Sequence, residues 1–85
     1  MTPTPAQLRA ARALLDMQQR ELATQAGIAL RTLVVIEQGG GAEASKGKVV
    51  DALHRAGVAF GGTPDGSSLS VQLRRPRRAP GAKQS

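Results

Sequence analysis

No cysteine occurs anywhere in the 85 residues, which removes disulfides and thiolate metal sites from consideration. Tryptophan and tyrosine are absent and Phe60 is the sole phenylalanine, so any core must be built from leucine, valine, isoleucine and alanine. The one histidine, His54, does not make a zinc site by itself. Long apolar runs are missing as well. The longest nearly apolar stretch, Leu33-Val34-Val35-Ile36, falls far short of the roughly 20 residues that a bilayer demands. Met1-Thr2-Pro3-Thr4-Pro5 carries neither the basic leader nor the apolar run of a secretory signal, so a cytoplasmic, reducing location without membrane association is the expectation.

Acidic residues are in the minority: Lys and Arg number 12 against 6 Asp and Glu, a formal net charge of +6. The excess is uneven. Through Phe60 there are seven basic residues against five acidic, and from Gly61 onward five against one, so the strongest positive field belongs to the C-terminal stretch. Such a balance attracts polyanions through counterion release, but charge alone does not separate DNA from RNA or anionic lipid. Nothing suggests an enzyme. No nucleophile is accompanied by a base, and no carboxylate pair or metal-ligand set stands out. Gly39-Gly40-Gly41 lacks the lysine followed by Ser or Thr, and the preceding strand, that a phosphate loop requires. It reads as a helix stop, and no cofactor and no metal are implied.

What the chain does contain is helical patterning. Thr4 is placed to cap a first helix, Pro5 suits its first position, and Gln7 completes a capping box. Leu8, Ala11, Leu14 and Leu15 then recur at helical spacing as one apolar stripe. A second helix is expected from Gln18 or Gln19 to Ala26, with Leu22, Ala23 and Ala26 inward and Gly27 ending it. Ile28 points back into the core, and a third helix runs from Ala29 or Leu30 to just before the triple glycine, carrying Leu33 and Ile36. A fourth fits Ser45 to Ala56, with Ser45 as cap and Val49, Ala52, Leu53 and Ala56 inward. Val58-Ala59-Phe60 is a short strand candidate, and Leu69, Val71 and Leu73 alternate with polar residues at period two, the pattern of a hairpin's second strand. The division is therefore a helical domain over 4–57, a hairpin and dimerisation extension over 58–73, and a disordered basic tail over 74–85. A packed part near sixty residues gains from a partner, and a homodimer is expected.

Two short helices joined by Gly27-Ile28-Ala29 are the feature that points to function. Gln19-Arg20-Glu21-Leu22-Ala23, Ala26-Gly27-Ile28, Arg31-Thr32-Leu33 and Ile36-Glu37-Gln38-Gly39 together resemble the phage-repressor (Cro/C1-type, xenobiotic-response-element) helix-turn-helix family. Leu8-Arg9-Ala10-Ala11-Arg12 and the stretch from Ala52 to Val58 fit as well, so the resemblance covers about two thirds of the chain. It implies an all-α fold, a repressor-like bundle of four or five short helices containing a helix-turn-helix, to which the hairpin is appended. It also implies a homodimer that binds an inverted-repeat operator in double-stranded DNA and acts as a small transcriptional repressor or autoregulator.

Carried over residue by residue, Gln19 matches the glutamine that bridges a phosphate or a base edge, with Gln18 beside it. Arg31 matches an exposed position of the recognition helix, and Thr32 the small hydroxyl residue that supports a backbone contact. Arg12 and Glu37 match a structural salt bridge between helices. Leu30 and Val35 fall on the groove face, and Lys46 and Lys48 are placed to hold phosphates. Val50, Leu53, Phe60, Leu69, Val71 and Leu73 are the dimerisation candidates. Arg74, Arg75, Arg77 and Arg78 are candidates for nonspecific phosphate contacts. Leu30, Val34 and Val35 stand where the family often has polar or basic residues, and Ala29 where it often has a capping Ser or Thr. Two readings of the apolar surface therefore stand: contact with thymine methyl groups, or a protein partner held through Leu30, Val34 and Val35, as in an interaction module or an antitoxin with weak DNA binding.

Overall fold

Each helix start and stop follows from local chemistry. In the computed structural model, which describes residues 2–74, the first helix, α1, spans Pro5–Leu14. The Thr4 hydroxyl accepts the Gln7 amide at 3.2 Å while the Gln7 side chain accepts the Thr4 amide at 2.9 Å, so two otherwise orphaned donors are satisfied. The helix α2 spans Gln19–Ala26 and α3 spans Leu30–Glu37. Between them Gly27 adopts φ 74, and the Ile28 and Gly27 amides donate back to Ala23 and Thr24 at 3.0 and 3.2 Å. This Schellman ending needs a left-handed residue, which glycine supplies without a Cβ penalty. The turn returns Ile28 to the core. The exit of α1 uses the same pair of bonds, from Met17 to Arg12 and from Asp16 to Ala13, but there the left-handed residue is Asp16, at φ 54. Aspartate is one of the few non-glycine residues that visit this region.

The fourth helix, α4, spans Glu43–Arg55, so the expectation of a Ser45 start and cap is corrected. Ala42 stands at the N-cap without a side-chain bond, and the Lys46 amide reaches its carbonyl at 3.0 Å. The reason is propensity plus charge: Ala42 and Ala44 favour helix, and Glu43 in the first turn meets the positive end of the dipole. Two strands follow, β1 (Val58–Gly62) and β2 (Leu69–Leu73), paired antiparallel with Val58 opposite Leu73 and Phe60 opposite Val71. The four helices and the appended hairpin match the expectation, but with the sheet counted the fold is not plainly all-α. Among the described residues there are four helices and a two-stranded sheet, a small mixed fold.

The core is aliphatic and drawn from every helix and β1: Leu8, Ala11, Leu22, Ala23, Ala26, Leu33, Ile36, Val49, Ala52, Leu53 and Val58. Leu15 packs against this cluster, whereas Leu14 is 44% exposed, a departure from the stripe expected for α1. The hairpin is docked on the helices, with α1 against β2 and α4 against β1. Phe60, Val71 and Leu73 lie against the core on the same face as Val58. Gln7 fastens the joint: it is buried, and its side-chain amide donates to the Gly61 and Ser70 carbonyls at 3.1 and 2.9 Å. At the root of the hairpin Gly57 adopts φ 105, and a Cβ there would meet the Arg74 carbonyl oxygen at 2.6 Å, so only glycine fits the close approach. No helix among the described residues is long and apolar enough to cross a membrane.

Candidate functional site

The inner face of α3 is pinned before its outer face is offered to anything. Leu33 and Ile36 are buried in the core, and Glu37, 2% exposed, receives donors from two other helices. Arg12 forks onto it, Nε to Oε2 at 2.7 Å and Nη2 to Oε1 at 3.0 Å, and its remaining Nη1 reaches the Met17 carbonyl at 3.1 Å. Gln19 from the first turn of α2 donates its amide to Glu37 Oε1 at 2.9 Å, and Arg9 donates to the Glu37 main-chain carbonyl. A buried carboxylate is tolerable only when it is paired and hydrogen-bonded, and here both oxygens are engaged, Oε1 twice and Oε2 once. The result is a clamp joining α1, α2 and the C-terminal end of α3.

This clamp alters the part Gln19 can play. One N–H of its side-chain amide is spent on Glu37, which ties Gln19 to the clamp and leaves the second N–H and the carbonyl oxygen for an outside partner. Gln18 is exposed at the N-cap of α2 and makes no side-chain capping bond, and Ala29 has no side chain able to cap α3. The leading amides of both helices are therefore left without side-chain acceptors. On α3, Leu30 is 36% and Val35 42% exposed, whereas Thr32 and Val34 are half-buried, so Val34 offers less surface than its neighbours. Arg31 is exposed and takes part in no ion pair or side-chain hydrogen bond among the described residues.

The basic residues of α4 divide. Lys46 is half-buried and pairs with Glu43 at 3.3 Å, which neutralises much of its reach; Lys48 is exposed. Arg55 donates to the Gln25 carbonyl at 3.3 Å and so braces α4 on α2. Arg74 is exposed, and its amide closes the hairpin on the Gly57 carbonyl, so the residue begins not a free tail but the last rung of the sheet. Arg75, Arg77 and Arg78 lie outside the described residues, as does the rest of the expected disordered tail.

Leu53 is corrected as a dimerisation residue: it is 0% exposed and fills the core. Val50, Phe60, Val71 and Leu73 are half-buried against their own chain, Phe60 with its ring 5.9 Å from that of His54, while Leu69 is 43% exposed. Sequence reasoning missed the bond of Arg9 to Glu37, the left-handed Asp16, and the second use of Gln7, which beyond its capping box ties α1 to the hairpin. Arg9 and Arg12 are three apart on one helix, a spacing that aims both at one neighbour, and that signal was legible. Comparison of the chain with protein-family models, with curated proteins and with solved structures finds no match in any of the three.

Proposed function

We propose that the chain is a small double-stranded DNA-binding module that regulates transcription by occupying its site, and that it is not a catalyst. The observation that carries the reading is Arg31: an exposed guanidinium without a partner among the described residues, one residue into a helix whose opposite face is locked by Leu33, Ile36 and the Glu37 clamp. A helix held that firmly can present a side chain to a major groove without loss of register, and arginine forks onto guanine or grips a phosphate. The uncapped amides leading α2 and α3 supply neutral donors for the flanking phosphates. Lys48 and Arg74 add charge but no base reading. The mechanism is steric, since a bound protomer excludes other proteins from the same stretch of duplex.

A second reading draws support from Leu30 and Val35, the exposed aliphatics on the same helix. They suit a protein partner as well as thymine methyl groups. One experiment separates the two. The full chain is incubated with a random duplex pool at two salt concentrations, bound fragments are selected, and affinity for the winner is measured for Arg31→Ala and Leu30→Asp. The DNA reading expects salt-dependent enrichment and a loss of about ten- to a hundredfold with Arg31→Ala. Absence of any attraction to duplex at low ionic strength defeats it. Loss of a copurifying protein with Leu30→Asp, DNA affinity being spared, favours the partner reading.

A further inference from the structure

The hairpin carries an unused edge. In an antiparallel pair, residues whose amides and carbonyls bond across the ladder alternate with residues whose polar groups point away. Arg74 donates to Gly57 and Thr63 donates to Ser68, which sets the bonded pairs at Gly57 with Arg74, Ala59 with Gln72, Gly61 with Ser70 and Thr63 with Ser68. The main-chain groups of Leu69, Val71 and Leu73 therefore all face away from β1. Their side chains share the apolar face with Val58 and Phe60. Beside them, Leu69 and Val71 line one shallow groove with Ala6, Ala10, Ala13 and Leu14 of α1. Those four helix residues are exposed, and Leu14 and Leu69 are among the most exposed large apolar side chains of the fold.

We propose that β2 is the seam of a two-fold homodimer, its outer edge pairing antiparallel with β2 of a second copy about Val71. The occupant follows from the strand's own symmetry. Leu69-Ser70-Val71-Gln72-Leu73 reads apolar-polar-apolar-polar-apolar in both directions. Centred on Val71, Leu69 meets Leu73 of the second copy and Val71 meets its counterpart, and these are the bonded pairs, with Ser70 and Gln72 facing each other between them. All three outward amides and carbonyls of each copy are satisfied, and no charged residue lies within the strand to oppose its own image. The two hairpins, each already docked on its own helices, become one four-stranded sheet. The seam also covers Leu69 and, on α1, Leu14, and the small side chains of Ala6, Ala10 and Ala13 beside them allow close approach. The edge of β1 is less suited, because Gly61 and Gly62 add no side chain to a seam. The seam stands apart from the DNA reading and is tested without nucleic acid.

The test is sedimentation equilibrium of the full chain with Leu69→Lys, together with oxidative cross-linking of Val71→Cys and Gln72→Cys, each the sole cysteine of its chain. The exposed Leu69 tolerates replacement without cost to the core, and thermal melting checks the fold. The expected results are a dimer in the parent, association weakened about tenfold or more by Leu69→Lys, and faster disulfide formation at position 71 than at 72. Bonded antiparallel partners place their Cα atoms about 5.5 Å apart, within disulfide range. Random collisions would favour the more exposed position 72. A monomer at every concentration overturns the proposal, and so does a dimer that ignores Leu69→Lys or cross-links no faster at 71 than at 72.

Discussion

Replacing Arg12 by methionine keeps the aliphatic stem and removes the fork that neutralises Glu37. The carboxylate would then be left 2% exposed with Gln19 as its one remaining side-chain donor. Breaking a buried pair from one side costs about 3–5 kcal/mol, because the surviving charge is uncompensated. A domain of this size holds only about 4–11 kcal/mol in total, so Arg12→Met should remove about a quarter of it or more. Glu37→Met is milder, about 1–3 kcal/mol, since the side chain of Arg12 is 20% exposed and still reaches the Met17 carbonyl and water. The double variant leaves neither charge stranded and should lie within about 1–2 kcal/mol of the parent. The assay is urea unfolding at neutral pH, where about 1 kcal/mol per molar of urea makes the first variant's midpoint fall by about 3–5 M. If the two single changes each cost under about 1 kcal/mol and sum to the double, the clamp is not what holds α3 against α1 and α2.

Gly47 lies in the second turn of α4, exposed, with no atom near the position its Cβ would take, so Gly47→Ala should stabilise by about 0.5–1 kcal/mol and raise the thermal midpoint by roughly 2–8 °C; a fall in the midpoint would contradict an open, helical position. In the hairpin turn the Asp65 carboxylate accepts from the Ser67 amide and from the Ser67 and Thr63 hydroxyls, which lowers its pKa from 3.8 to about 2. Its contribution is therefore present above the ordinary carboxylate value and lost as pH falls through about 2, and Asp65→Asn should remove that acid dependence. A carboxyl titration followed by NMR with a midpoint at or above 3.8 would show that the turn does not form in solution.

Much of the architecture was legible because it depends on near neighbours. The Thr4–Gln7 capping box, the Gly27 exit and the glycine stop after α3 involve residues three to five apart, and each occurs where its local chemistry asks for it. The start of α4 was misread because serine is a good cap in general, while here Ala42-Glu43-Ala44 already favours helix. The inward placing of Leu53 was legible from its spacing with Val49 and Ala52, and that placing is incompatible with its second assignment to a dimer contact. Leu14 and Leu15 shared one stripe in the sequence, and only packing decided which of the two turns inward.

Periodicity and turn chemistry, acting within one or two helical turns, were enough to determine the number of helices, the corner at Gly27 and the alternation of β2. Where long-range partners compete, those rules have nothing to say. Gln7 bonds carbonyls 54 and 63 residues away, and Gln19 gives its amide to a carboxylate 18 residues on. A hydrogen-bonding side chain is committed by whichever acceptor the folded chain brings within about 3 Å, and that choice exists only once the helices and the hairpin have docked.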